Sequence, residues 1–161
     1  PVVGAINGMA AGAGFSLAAA CDITIAGQSA KFALAYTAAG LSPDGSSTYY
    51  MPRKIGDRRA RELMLTNRVL SADEALDWGV VNQVVADEDV LSTARKLAKK
   101  LAKGPTQAFG QVKSLLDGSF DHSLETQMEL EARGIAAMID TPDGQEGLHA
   151  FLQKRKPDFK G

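Results

Sequence analysis

Cysteine is nearly absent: Cys21 stands alone among 161 residues. An internal disulfide and a multi-cysteine metal site are both excluded, so nothing points to an oxidising compartment. A basic excess is missing too, with 18 Lys+Arg against 19 Asp+Glu and a formal net charge of -1. A nucleic-acid surface or an anionic membrane would call for one. The apolar run from Met9 to Cys21 is about 13 residues, too short for a bilayer and broken by Gly12 and Gly14. Pro1-Val2-Val3-Gly4 carries no basic leader, so no signal peptide is predicted and the cytoplasm is the expected compartment. An intact domain rarely opens inside a strand-like segment, and the chain is expected to be a piece of something longer.

What is present is ordinary globular material, 45% hydrophobic and 23% charged, which excludes a disordered chain. Charge is unevenly spread. The first 50 residues hold only Asp22, Lys31 and Asp44, so that stretch is expected to be largely buried, in a core or a pocket. Val2–Ile6 is a β-branched run ended by Asn7-Gly8, a strand and a turn. Gly8–Gly14 is rich in Gly and Ala, Phe15–Ala20 reads as a helix, Asp22–Ala26 as a buried strand and Lys31–Tyr36 as a third. Strand, glycine turn, helix and strand in succession predict α/β layering.

Beyond Ser46 the period becomes helical. Helices are predicted over Ser46–Ile55 and Asp57–Thr66, split by Gly56. Ser71-Ala72-Asp73-Glu74 is a capping box, opening a helix that ends at Gly79 before a strand over Val80–Val85. Four helices follow, over Asp87–Lys103, Pro105–Leu116, Asp121–Ile139 and Pro142–Leu152. Two portions are expected, 1–86 with the strands and 87–161 mostly helical.

Two segments could carry chemistry. Ala11-Gly12-Ala13-Gly14 leads into a helix, whose first turn leaves N–H groups free to meet an anion; tight helix–sheet packing is the alternative. Asp44, in Leu41-Ser42-Pro43-Asp44-Gly45-Ser46-Ser47-Thr48, is the only acid between Asp22 and Asp57. Apolar surroundings would raise its pKa and make it a proton shuttle, whereas Pro-Asp-Gly is also ordinary turn chemistry. His122 and His149 have no metal-ligand spacing. Ser46 and Ser47 lie outside any nucleophile-elbow pattern. Glu62 is expected to pair with Arg58 at i−4, and Trp78 to anchor the core.

Several ordered motifs resemble the crotonase (enoyl-CoA hydratase/isomerase) superfamily. They are Pro1–Gly8 with Ala11-Gly12-Ala13-Gly14 and Cys21-Asp22; Phe32 with Gly40-Leu41-Ser42-Pro43-Asp44-Gly45; Leu65-Thr66, Ser71-Ala72, Ala75 and Trp78-Gly79-Val80-Val81-Asn82; and Phe151–Gly161, with Lys154-Arg155-Lys156-Pro157 and Phe159. The resemblance implies the C-terminal portion of a ββα spiral core followed by helices that make trimers or hexamers, with an N-terminal part absent. It implies an acyl-CoA thioester as substrate, with no permanently bound cofactor and no metal. Hydratases of that superfamily use two glutamates, and Ser16 and Tyr36 occupy those positions here. Asp44 falls where isomerase-type members, such as ring-epoxide phenylacetyl-CoA isomerases, carry a catalytic aspartate.

The resemblance therefore implies a double-bond or ring-epoxide isomerase. Asp44 would move the proton and the Ala13 N–H would hold the enolate oxygen. Gly12 and Gly14 would flank the thioester, Phe15, Phe32, Tyr36 and Leu41 would line the acyl pocket, and Lys154, Lys156 and Phe159 would approach the nucleotide end of coenzyme A. Alternatives are an enoyl-CoA hydratase using Asp44 with a differently held water, a dehalogenase-like nucleophilic Asp44, or an inactive oligomerising module.

Overall fold

In the computed structural model, which describes residues 1–161, short strands alternate with helices through the first part of the chain and helices alone fill the rest. Two units result, one over Val2–Leu97 and the other over Ala98–Gly161.

The first unit opens with β1 (Val3–Ile6), β2 (Met9–Ala11) and α1 (Ala13–Ala20), then β3 (Ile23–Gly27), β4 (Lys31–Ala33), a 3-10 turn at Thr37–Ala39 and α2 (Ser47–Ile55). Each pair of strands splits between two sheets. In the first sheet β3 lies between β1 and β6 (Gln83–Val85), all parallel, with Val3 opposite Ile23 and Ile25 opposite Gln83. In the second, β4 pairs in parallel with β2 and antiparallel with β5 (Leu70–Ser71). The strand-strand-helix succession is thus made twice, as a ββα core requires.

Backbones come close where side chains are small. A Cβ on Gly4 would lie 3.1 Å from Cys21 Sγ, so a side chain there would crowd the cysteine that precedes β3. Between the layers sit Phe15, Phe32, Met51, Leu63 and Leu70, all fully buried. The Phe15 and Phe32 rings meet at 5.3 Å, tilted by 55°. Each such side chain stabilises the fold by roughly 1.5–3 kcal/mol on burial.

After α2 the chain turns at Gly56 (φ 80°) into α3 (Asp57–Thr66), as the glycine predicts. The capping box forms at α4 (Ala72–Asp77): Glu74 N–H donates to Ser71 Oγ at 3.2 Å, and Ser71 N–H to Glu74 Oε2 at 2.9 Å. Glu62 does not take the expected partner. Asn67 ends α3 in a left-handed conformation (φ 56°), which turns Arg68 back to bridge Glu62 at 2.7 Å and Glu74 at 2.5 Å. Trp78 is half-buried, with the guanidinium groups of Arg59 and Arg68 over its ring at 4.5 and 4.9 Å.

The low charge of the first 50 residues does not reflect burial throughout. Leu17 is 70% exposed, Leu41 62% and Met9 58%.

A 3-10 turn at Asp87–Asp89 precedes α5 (Val90–Ala102). The second unit is built from α6 (Thr106–Gly118), α7 (Leu124–Ile139) and α8 (Pro142–Leu152). Ser123 and Thr141 cap α7 and α8 through their side-chain oxygens, and Pro142 supplies the fixed φ of the first helical position. The segment after α8 folds back along it. Asp143 accepts from the N–H groups of Lys160 and Gly161 at 2.8 and 3.0 Å. Glu146 accepts from both Arg155 amino groups at 2.6 and 2.7 Å and from Asp158 N–H at 2.8 Å. No helix is long and apolar enough to cross a membrane.

Candidate active site

Gly12 joins β2 to α1 at φ 51°, ψ -122°, where a side chain is strained, and its N–H donates to Ala33 O at 2.9 Å. The end of β2 is thereby tied to the end of β4. The first i→i−4 bond of α1 runs from Ser16 N–H to Gly12 O at 3.1 Å, so the N–H groups of Ala13, Gly14 and Phe15 have no acceptor within the helix. No acidic residue lies in that turn to neutralise them. The positive end of α1 is available to an anionic oxygen.

Tyr36 follows β4 and lays its ring beside Gly12; a Cβ there would sit 3.8 Å from the ring. Gly40, at φ 70°, then reverses the chain so that Leu41–Ser46 runs back past α1. Asp44 is fixed at its backbone. Its carbonyl oxygen accepts from Ser47 N–H at 3.2 Å and from Ser47 Oγ at 3.0 Å, and it lies 3.1 Å from Ser16 Oγ. Gly45 and Ser46 both adopt left-handed φ, 58° and 64°, before α2 begins. A Cβ on Gly45 would come within 2.8 Å of Ser16 Cβ, so glycine lets this loop close on α1.

The carboxylate is fixed as well: Tyr36 Oη donates to Asp44 Oδ1 at 2.6 Å. Ser16 Oγ and Tyr36 Oη are 3.1 Å apart. The two positions at which the resemblance implies hydratase glutamates thus face each other across one hydrogen bond, and both reach Asp44. Burial, and then the hydrogen bond accepted by Asp44, hold the Tyr36 hydroxyl above the usual phenol range. It is a donor throughout neutral pH.

Several expectations need correcting. Asp44 is exposed rather than enclosed by apolar side chains: its carbonyl oxygen lies against Ser16 and Ser47, and its carboxylate meets the Tyr36 hydroxyl. Phe15 and Phe32 are wholly within the core, stacked on each other, and form no open pocket wall. Leu41 projects into solvent. Tyr36 contributes a hydroxyl rather than only an apolar surface. Gly12, Ala13 and Gly14 do stand at the helix tip beside Tyr36. Lys154, Lys156 and Phe159 belong to the second unit, where Phe159 helps line an apolar groove of about 280 Å³ with Pro105, Met138 and Leu148. Ser47, set aside as a nucleophile, and Gly45 hold the loop in place, a role the sequence does not show. Pro43-Asp44-Gly45 signals a turn, but not which oxygen it holds.

The sequence profile described as Enoyl-CoA hydratase/isomerase matches residues 1–161. Over all of the chain it is 44% identical to the 1,2-epoxyphenylacetyl-CoA isomerase of Escherichia coli, and it spans 62% of that protein's length. It is 40% identical over 154 residues to the 4-chlorobenzoyl coenzyme A dehalogenase-1 of an Arthrobacter species, covering 96% of this chain and 56% of the relative. A crystal structure described as an enoyl-CoA hydratase/isomerase, from Mycobacterium abscessus, superimposes with a TM-score of 0.97 at 41% identity, covering 100% of this chain and 62% of that one. On sequence and fold together, the chain belongs to the enoyl-CoA hydratase/isomerase family.

Proposed function

We propose that this polypeptide serves in an acyl-CoA isomerase that relocates a double bond, or opens a ring epoxide to its isomer, by proton transfer through an enolate. The observation that carries the reading is the run of contacts from the Asp44 carboxylate through Tyr36 Oη to Ser16 in the first turn of α1. On this reading the carbonyl oxygen of a thioester meets the unpaired N–H groups at the tip of α1 while its acidic carbon faces Asp44. Asp44 removes a proton from the carbon, the C–H electron pair becomes the enolate double bond, and charge gathers on the thioester oxygen. The Ala13 N–H stabilises that oxygen, one such donor being worth roughly 3–4 kcal/mol in the transition state. Asp44 then returns the proton at the far carbon and the carbonyl re-forms.

This balance of atoms calls for no resident cofactor. Hydration is disfavoured because neither Ser16 nor Tyr36 supplies the carboxylate a two-acid water addition requires. The single cysteine suits the cytoplasm. Exposed Leu124, Met128, Ile135, Phe151 and Leu152 on α7 and α8 suit association with further copies, as a trimer or a pair of trimers.

The test offers a 3-enoyl-CoA and a 2-enoyl-CoA to the protein and to Asp44→Asn, with products separated chromatographically. Interconversion of the double-bond isomers, reduced about 100-fold or more in the variant, is expected. A hydroxyacyl-CoA as the main product, or an Asp44→Asn variant as active as its parent, overturns the reading.

A further inference from the structure

Proton bookkeeping around Asp44 gives the site a direction. Tyr36 Oη has one proton, and the 2.6 Å contact gives it to Asp44 Oδ1. The 3.1 Å contact between Tyr36 and Ser16 must then take its proton from Ser16. Ser16 has two other acceptors in reach, Gly12 O at 3.3 Å and Asp44 O at 3.1 Å. Gly12 O is the more distant, and Asp44 O already accepts twice from Ser47, whereas the Tyr36 oxygen has no donor but Ser16. The chain of donors therefore runs Ser16 to Tyr36 to Asp44, and it starts from a fully buried residue of α1.

We infer that Tyr36, oriented by Ser16, is a positioning residue that holds Asp44 Oδ1 so that Oδ2 is the oxygen that carries the migrating proton. The role rests on the isomerase reading above. An exposed aspartate would otherwise turn freely about χ2 and present either oxygen, or neither, to the carbon. Fixing Oδ1 selects one rotamer, and a misplacement of about 1 Å can cost about 100-fold in rate. Delivery from a pinned carboxylate also competes better with exchange into water, so more of the captured hydrogen reaches the second carbon.

The test compares Tyr36→Phe, Ser16→Ala and Asp44→Asn, with the Tyr36→Phe/Asp44→Asn double variant, on a 3-enoyl-CoA deuterated at the carbon that loses its proton. Tyr36→Phe is expected to lower kcat about 10- to 100-fold with KM changed less than about threefold, and to lower the share of deuterium retained in the product. Ser16→Ala should do the same more weakly, about two- to fivefold. In the Asp44→Asn background Tyr36→Phe should add no further loss, since the tyrosine acts through that carboxylate. An unchanged kcat and deuterium share in Tyr36→Phe, with Asp44→Asn inactive, overturns this role and leaves the isomerase reading standing. An equal loss in both backgrounds also overturns it. A fully active Asp44→Asn, or no isomerisation by the parent protein, overturns the isomerase reading and this role with it.

Discussion

Substituting Gly45 with alanine isolates the contact on which the corner between α1 and the Asp44 loop depends. Gly45 sits at φ 58°, and its absent Cβ would meet Ser16 Cβ at 2.8 Å. Gly40 is also left-handed, at φ 70°, but a Cβ there meets nothing within 4 Å. Left-handed backbone costs a non-glycine residue about 1–2 kcal/mol, part of it offset because alanine restricts the unfolded chain. Gly40→Ala should therefore lose about 1 kcal/mol. Gly45→Ala adds overpacking of backbone against a helix, typically about 1–3 kcal/mol more. Urea unfolding of the two variants should show Gly45→Ala the less stable by that margin. Because the obstruction is Ser16 Cβ, Ser16→Ala should not relieve it. Equal midpoints for the two glycine variants, with equal slopes, would refute the close approach of the loop to α1.

Other consequences can be checked more briefly. Glu146 is held at about 2, below its ordinary 4.5, first by the Arg155 hydrogen bonds and next by Asp158 N–H. With the folded value depressed, the hold of Glu146 on the segment after α8 is complete above the ordinary carboxylate range and is lost as pH falls towards about 2. The amide resonance of Asp158 should report that release between those limits, and a transition centred above pH 5 would contradict it. Ser71→Ala removes the oxygen that caps α4 and should destabilise the first unit by about 1 kcal/mol in urea unfolding. A change below a few tenths would mean that Glu74 and Arg68 hold that turn without it.

Local chemistry was legible wherever it acts over a few residues. Gly56 divides α2 from α3, Ser71 and Glu74 cap α4, and Thr141-Pro142 starts α8, because each signal and its consequence lie within one turn. β2 was not legible. Met-Ala-Ala between glycines has weak strand propensity, and it becomes a strand only by pairing with residues 31–33. The same limit applied to the site. Asp44 and the α1 tip could be singled out by their rarity and by resemblance, but the hydroxyls that join them could not. Ser16, Tyr36 and Asp44 lie 20 and 28 residues from the first to the others, and only the folded loop brings their oxygens together. Scarcity of charge misled as to burial, since an uncharged surface and a core have the same composition.

The pairing of β3 on both sides sets a timetable for biosynthesis. Its first edge meets β1, already made, but the second waits for β6, with Thr24 and Asn82 bonded across 58 residues. At about 5–20 residues per second on the ribosome, that is a delay of about 3–12 seconds. During it the nascent chain holds an apolar strand edge open to other chains, the kind of exposure that chaperones shield. The residues around Asp44 emerge well before that edge is closed, so their framework is finished by a segment that takes no part in them.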